Sequence, residues 1–369
     1  MNKKYAFILP TGGERPFGGF KVIYEYANRL SKNGENVFLL YSFPSANKTK
    51  KVTYNLAKKM FYFFKYSIFR NYKPKHWFIL EKKIKQKLIT SCNREPNQAF
   101  FSQFDYLFAT GLETAYFLDK INTVPSIKKF YFIQSYETWV GVNDEYVLNS
   151  YRLPLNKIVI SPFLENKVKD VGMTSILIPN GFDFNYFKLS ESIDSRDMYT
   201  VSMLYHTMEV KRCIDTIEAL KLVKMKHPEL VVNVFGFPKR PASLPEWFHY
   251  YQKPTKEVHN KIYNDSSIFV AASRLEGMAL PPAEAMICGC ALVCTNIPGF
   301  TQYAIHNETA LLSEVYDVQG LAQNINLLIE NENLRKRLAN NGNSFIKKFT
   351  WEEAYKKFIS FVNSFESDM

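Results

Sequence analysis

Residues 268–299, IFVAASRLEGMALPPAEAMICGCALVCTNIPG, limit the possible folds of this chain more than any other stretch. The run 268–272 is apolar without alternation, the pattern of a strand buried on both faces of a parallel sheet. A loop with Glu276 and Gly277 follows, then Pro281 and Pro282, then an apolar segment holding Glu284. Proline is tolerated in the first turn of a helix, where the N–H it lacks would be unpaired anyway. The helix is therefore expected to start at Pro281 or Pro282, with Glu284 in its first turn. A second apolar run at 291–294 completes a βαβ unit, and the class is α/β.

This arrangement suits a sugar carried on a diphosphate. Backbone N–H groups of Gly277, Met278, Ala279 and Leu280, with a helix N-terminus behind them, form an anion site. An ionised carboxylate only accepts hydrogen bonds, so it pairs with the hydroxyls of a ribose or hexose. Glu276 and Glu284, with seven residues between them, could hold the two ends of a nucleotide sugar. Taken singly, Glu276 could merely end a strand and Glu284 complement the helix dipole. The pair, its spacing and the double proline together favour the ligand reading.

The segment resembles the E-x7-E signature of retaining glycosyltransferases of family four, which have the GT-B fold. The resemblance implies two Rossmann-like parallel-sheet domains facing a cleft, with Glu276 on hydroxyls of the donor sugar and Glu284 on the ribose. The family's E-G-F-G-L reads E-G-M-A-L here, so Ala279 narrows the backbone's approach to the donor. Further resemblances lie elsewhere. Residues 178–187, IPNGFDFNYF, are similar to the family's P-N-G-x-D-x-x-x-F, which places Asn180 beside the cleft. Residues 206–212, HTMEVKR, stand where the family reads R-L-x-x-x-K-G. Lys211 matches the lysine, His206 takes the arginine's place, and Arg212 replaces the glycine and is expected to supply the missing charge. Adjacent cations after a strand could clamp a diphosphate as the glycosidic bond breaks. The region of Phe237 and Lys253 corresponds to the family's nucleobase site. Gly18 and Gly19, before a predicted helix at 20–33, fit the family's Gly-Gly loop that faces the diphosphate.

At 369 residues the chain has room for two domains, each with its own core. The expected division is 1–188, on the acceptor side, and 189–350, on the nucleotide-sugar side. A helix within 351–369 is expected to pack back on the first domain. Loops after the predicted strands 104–109 and 130–133 leave carboxyl ends, where open α/β sheets bind ligands. Tyr136 and Glu137 are the candidates there for the acceptor or the reacting sugar.

An apolar fraction of 46% excludes general disorder. No apolar run reaches the roughly 20 residues that span a bilayer, and the short apolar piece of the N-terminus is expected to be a strand rather than a signal peptide. A cytoplasmic protein with reduced thiols is expected, since the five cysteines lack framework spacing. Cys288, Cys290 and Cys294 read as small packed hydrophobes rather than metal ligands. No DxD triplet occurs, so no metal or other cofactor is expected. The net charge of +12 is concentrated. Residues 48–89 hold 13 Lys or Arg and one acid, and the remaining chain holds 34 of each sign. Mixed with ten aromatics, this charge suits helices lying on an anionic membrane surface, on the inner face of the cell membrane. A solvated face over an ordinary core is the alternative. No nucleic-acid module is recognisable.

The residues thus point to transfer of a hexose or 6-deoxyhexose from a nucleoside diphosphate to a lipid-linked or growing cell-surface glycan. The resemblance implies retention of configuration without metal. A catalytically silent GT-B binding partner in a glycan-assembly complex is the alternative, which His206, Met278 and Ala279 keep open. A dinucleotide oxidoreductase is a poorer third, because no G-x-G-x-x-G follows a strand.

Overall fold

The computed structural model describes residues 2–10, 18–42, 78–122 and 127–365, the side chain of Trp139 apart. They form two compact units. One comprises Met1–Val159, Leu164–Ile178 and Phe358–Met369, the other Ile160–Phe163 and Pro179–Lys357.

In the first unit the elements run β1 (Lys4–Leu9), α1 (Gly18–Lys32), β2 (Asn36–Ser42), β3 (Lys85–Ile89), α2 (Gln98–Phe101), β4 (Tyr106–Ala109) and α3 (Leu112–Asp119). They continue with β5 (Lys128–Ile133), α4 (Asp144–Arg152), β6 (Asn156–Val159), α5 (Pro162–Lys169) and β7 (Ser175–Leu177). The sheet is parallel throughout, in the order β3-β2-β1-β4-β5-β6-β7. Tyr5 to Leu9 of β1 are all buried, as expected for a strand covered on both faces. Stacked rings cross neighbouring strands, Phe7 on Phe108 at 4.7 Å and Phe108 on Phe130 at 4.8 Å between centroids. Each such pair adds roughly 0.5–1.5 kcal/mol to the burial of its apolar area.

The second unit runs β8 (Thr200–Tyr205), α6 (Cys213–Lys226), β9 (Val231–Gly236), β10 (Phe248–Gln252), α7 (Lys256–Asp265), β11 (Ile268–Ala271) and α8 (Leu280–Ile287). It ends with β12 (Ala291–Thr295), β13 (Ala310–Ser313), α9 (Val318–Glu330), α10 (Glu332–Ile346) and α11 (Trp351–Asn363). Its six strands are also parallel, in the order β10-β9-β8-β11-β12-β13. Val201, Val232, Ile268, Val270 and Val293 pack under Leu220, Val223, Ile325 and Leu328 of the covering helices. Helix α11 leaves this unit and ends in the first, where Phe358 packs on Tyr26 and Phe108 and Phe361 on Phe130.

Both sheets therefore have the doubly wound order, with strand order reversing between β1 and β4 and between β8 and β11. At such a switch point the two flanking connections run to opposite faces and leave a crevice outside the carboxyl ends.

Three sequence expectations change. Helix α8 starts at Leu280, not at a proline, so Glu284 is its fifth residue and lies beyond the first turn. The two prolines still fall in the first turn, where missing N–H groups cost nothing. The described end of the basic stretch is an edge strand, β3, not a helix, with Lys85 over the Phe38 ring at 5.0 Å and Lys87 over Phe100 at 5.3 Å. The expected membrane-facing aromatics at 61–77 lie outside the described residues. Gly18 and Gly19 form the first two residues of α1 rather than a loop before it. Cys288, Cys290 and Cys294 are buried, and burial pushes the Cys290 thiol up to about 11. Among the described residues, no helix is long and apolar enough to cross a membrane.

The segment that begins the second unit is fixed by close backbone packing. Phe182 N–H donates to Phe349 O at 2.9 Å. A Cβ on Gly181 would lie 2.4 Å from the backbone N of Trp351. Neither backbone can yield to it, so Gly181→Ala is expected to cost about 1–3 kcal/mol, the range for overpacking. Urea denaturation monitored by circular dichroism measures this, and an unchanged midpoint would show that the segment relaxes freely.

Candidate functional site

The parallel register of the second sheet brings several loops to one edge. Tyr205 of β8 pairs with Gly236 of β9, which pairs with Gln252 of β10, and Met203 pairs with Val270 of β11. The chain therefore leaves the sheet side by side at residues 206, 237, 253 and 272. Lys211 comes from the first of these loops and Glu276 from the last, across the switch point between β8 and β11. There they meet. Lys211 Nζ donates to Glu276 Oε1 at 2.6 Å and to Oε2 at 2.9 Å. The two side chains are 22% and 12% exposed, so solvent screens this pair less than an ordinary surface pair.

The carboxylate is held from behind. Ser273 Oγ donates to Glu276 Oε1 at 2.7 Å, and Thr295 Oγ1 anchors the Ser273 carbonyl. A Cβ on Gly299 would lie 2.3 Å from Glu276 Cβ and 2.6 Å from its carbonyl oxygen, so only glycine fits there. Gln302 Nε2 donates to Gly277 O at 3.3 Å and buried Tyr303 Oη to Ala279 O at 2.7 Å. A cavity of about 20 Å³ lies beside the pair, lined by Leu204, Ser273, Pro281, Pro282 and Phe300. That is room for about one water.

The loop corrects one expectation and relaxes another. Ala279 N–H donates to Gly299 O at 3.4 Å and is not available to a ligand as anticipated. Ala279 itself has φ −71 and ψ 129, ordinary extended backbone, so the alanine introduces no strain. Met278 is 5% exposed and packs inward.

His206 lies next to the ion pair in charge terms. Burial first, and the Lys211 ammonium second, hold its imidazole below the ordinary histidine value. Nδ1 accepts from Met208 N–H at 3.0 Å, which puts the proton of the neutral ring on Nε2. The position offers a neutral donor instead of a guanidinium. Arg212 does not replace that charge as expected. Its guanidinium binds Asp215 at 2.8 and 2.6 Å and Glu209 at 3.0 Å, and it covers the Tyr316 ring at 4.8 Å. With φ 46, Arg212 stands in the left-handed region that favours glycine. The two carboxylates offset that backbone cost.

Phe237 and Lys253 are brought together, Lys253 Nζ lying 4.3 Å from the ring centroid. Lys253 also has a left-handed φ, 48, and its N–H donates to Gly236 O at 2.8 Å. Glu284 is 5% exposed, with Tyr263 Oη 3.5 Å from Oε2. Asn180 is buried in the segment that packs on 349–351, and its Oδ1 has no protein partner. Ser273, Gly299, Gln302 and Tyr303 were not expected. Only Ser273 carried a sequence signal, its place three residues before Glu276.

In the first unit, Gly18 and Gly19 head α1 after β1, and Glu137 follows β5. Glu137 Oε1 accepts from Leu112 N–H at 3.1 Å, at the start of α3. Burial pushes its carboxyl up to about 7, outweighing that hydrogen bond, and Glu113 adds to the rise. Tyr131 and Tyr151 lie around it in charge terms, and Tyr151 Oη is buried without a protein partner. Tyr136 packs with Tyr151 at 6.5 Å and under Lys167 at 5.3 Å. Among the described residues, no group of three or more His, Cys, Asp or Glu is placed to hold a metal ion.

Parts of the chain are similar to known proteins. Residues 190–345 match the family model for glycosyl transferases group 1. The capsular polysaccharide biosynthesis glycosyltransferase CapM of Staphylococcus aureus is 25% identical over 232 residues, 57% of this chain and 60% of CapM. The O-antigen chain mannosyltransferase B of Escherichia coli is 26% identical over 114 residues, 31% of this chain and 29% of that protein. This chain therefore spans less than two thirds of either relative. HepE from Anabaena, solved with UDP and glucose, superposes with a TM-score of 0.70 at 13% identity, covering 98% of this chain and 100% of HepE.

The raised Glu137 carboxyl has a consequence for stability. Its pKa is higher folded than unfolded, so the folded state binds the extra proton. Stability is then fully present below the unfolded value near 4.5 and is lost as pH rises towards about 7. Glu137→Gln removes this loss. The variant is expected to gain up to about 3 kcal/mol over the parent at pH 8 and nothing at pH 4. Thermal melts at the two pH values test it, and an equal shift at both would contradict the burial argument.

Proposed function

We propose that this chain, whose residues 190–345 match the family model for glycosyl transferases group 1 and whose fold is GT-B, transfers a hexose or 6-deoxyhexose. The donor is a nucleoside diphosphate sugar, the acceptor a lipid-linked or growing cell-surface glycan, and the configuration at the anomeric carbon is retained. One observation carries the reading: Lys211 and Glu276 meet at the carboxyl edge of a doubly wound sheet. They are a cation for phosphate beside an acceptor for hydroxyls.

Each residue then has a role. The bond between anomeric carbon and phosphate oxygen breaks, and its electron pair stays on the diphosphate. Lys211, His206 Nε2–H and the N–H groups of Gly277, Met278 and Leu280 stabilise that charge. Glu276 accepts hydrogen bonds from sugar hydroxyls and Glu284 from the ribose. Phe237 stacks on the base, with Lys253 moved from its face. In the first unit, Gly18 and Gly19 leave the start of α1 open to an anion. The acceptor hydroxyl attacks from the face the phosphate leaves, and the departing diphosphate takes its proton. No side chain is placed as a covalent nucleophile in this account, and Lys211 supplies the cation that a metal ion would otherwise provide. Glu137, titrating near neutral pH, accepts a hydrogen bond from the acceptor. Arg212 acts through the backbone it fixes. The names of CapM and the mannosyltransferase support a cell-surface glycan, and the UDP and glucose on HepE make UDP the first nucleoside diphosphate to test.

A thermal-shift screen with nucleoside diphosphates in EDTA tests the donor site. A ligand at a hundredfold excess over its Kd should stabilise the fold by about 2.7 kcal/mol. Glu276→Ala is expected to lower turnover about 100-fold or more while leaving the circular dichroism spectrum unchanged. Absence of any shift would favour the second reading, a silent GT-B partner, which the committed Arg212 supports.

We also propose that the charge excess in 48–89 holds the protein to anionic lipid. Reversing Lys82, Lys83 and Lys85 together should weaken binding to phosphatidylserine vesicles by at least about 3 kcal/mol, the roughly 1 kcal/mol of attraction lost with each lysine. Binding that ignores the reversal would leave these lysines as a solvated edge.

A further inference from the structure

We propose that the stacked pair Tyr116 and Tyr146, in the first unit, is a docking platform for the uncharged sugars of an acceptor glycan. The inference rests on the acceptor reading above and deepens it by naming the class of glycan held.

The pair is fixed by its own backbone. The two rings stack at 4.7 Å between centroids, with their planes 27° apart. Tyr116, in the second turn of α3, donates from Oη to the Tyr146 carbonyl at 2.7 Å. Tyr146, in the first turn of α4, donates its N–H to the capping Asn143 Oδ1 at 2.9 Å. Turning Tyr116 aside would break the first bond, and shifting Tyr146 would break the second. Yet Tyr146 is 41% exposed. An aromatic face held still in water suits the C–H face of a sugar, because little freedom remains to be lost on binding.

The position fits a glycan chain. Leu112 N–H holds Glu137, and Tyr116 lies four residues further along the same helix, an advance of about 6 Å. That is close to the length of one pyranose unit. A chain whose end residue meets Glu137 would lay its next sugars over the rings.

Charge then selects the class. Residues 111–119 and 134–146 hold Glu113, Asp119, Glu137, Asp144 and Glu145 but no Lys or Arg, in a chain of net charge +12. Glu113 faces the Tyr146 phenol in charge terms, and so does Lys120, whose ammonium binds Glu95 at 3.2 Å. Arg152 is bound to Glu145 at 3.0 Å. Carboxylates accept hydrogen bonds from sugar hydroxyls, whereas uronates, phosphorylated sugars and anionic lipid meet like charge. A protein partner fits poorly. Among the described residues, the large apolar side chains exposed on these two segments are Val140 and Tyr146, far short of the roughly 800 Å² per partner of a stable protein interface.

A glycan array probed with the fluorescently labelled intact protein tests this. It carries uncharged hexose and N-acetylhexosamine oligosaccharides beside oligosaccharides that bear uronates or phosphates. The parent should retain the uncharged class alone. Tyr146→Ala should weaken that retention about tenfold, with an unchanged circular dichroism spectrum. Tyr146→Phe keeps the ring face and should bind as the parent does, and Glu113→Lys should admit the acidic class. Retention that ignores Tyr146→Ala would overturn the proposal and leave the acceptor reading standing, as would a parent that retains acidic oligosaccharides as well as uncharged ones. If the parent retains no glycan of either class, the acceptor reading itself fails.

Discussion

An ion pair between loops 65 residues apart, Lys211 and Glu276, is what the rest of the second unit serves. Nothing local brings these residues together. Their meeting requires β8 and β11 to be neighbours although β9 and β10 intervene in sequence, and that adjacency is the reversal of a doubly wound sheet. The aliphatic core under the strands fixes the register, the register fixes where each chain leaves the edge, and the edge fixes the pair. Gly299 and Ser273 then refine it by less than a side chain's length. Loss of either would leave the fold intact but move the carboxylate.

Much of the architecture was legible because parallel strands covered on both faces must be continuously apolar. β1, β2, β8, β11 and β12 are such runs, and each was expected near its observed place. The strands β3, β10 and β13 were not read. All three lie at sheet edges, where one side meets solvent and polar residues break the run, as Lys85 and Lys87 do in β3. The candidate site was legible in its charges but not in its bonds. Sequence marked Lys211 and Glu276 as partners of a ligand, whereas the structure shows them as partners of each other. It also suggested Arg212 as a spare cation, which Asp215 at i+3 turns into a structural one. The glycine expected at that position has a physical reason, the left-handed φ of 46 that Arg212 adopts.

The two units place their chemistry differently. In the second, opposite charges meet and neutralise each other at short range. In the first, Glu137 stands against the start of α3 among tyrosines, and burial dominates its titration. A carboxyl held near neutrality can exchange a proton at physiological pH, and it costs folding stability whenever it ionises. Such a group is retained where function needs it, which is the familiar trade between stability and activity. Strain is distributed in the same way. Arg212, Lys253 and Tyr316, three of the non-glycine residues with positive φ, lie on loops that leave the carboxyl ends of β8, β10 and β13. Backbone of that kind persists only where its surroundings determine it.

Hydrogen exchange with and without a nucleoside diphosphate hexose tests the central claim most directly, because it locates the ligand without assuming chemistry. The account predicts slowed exchange over 206–212 and 273–284, where the loops from β8 and β11 converge. Slowed exchange confined to other segments, or none at saturating ligand, would contradict it.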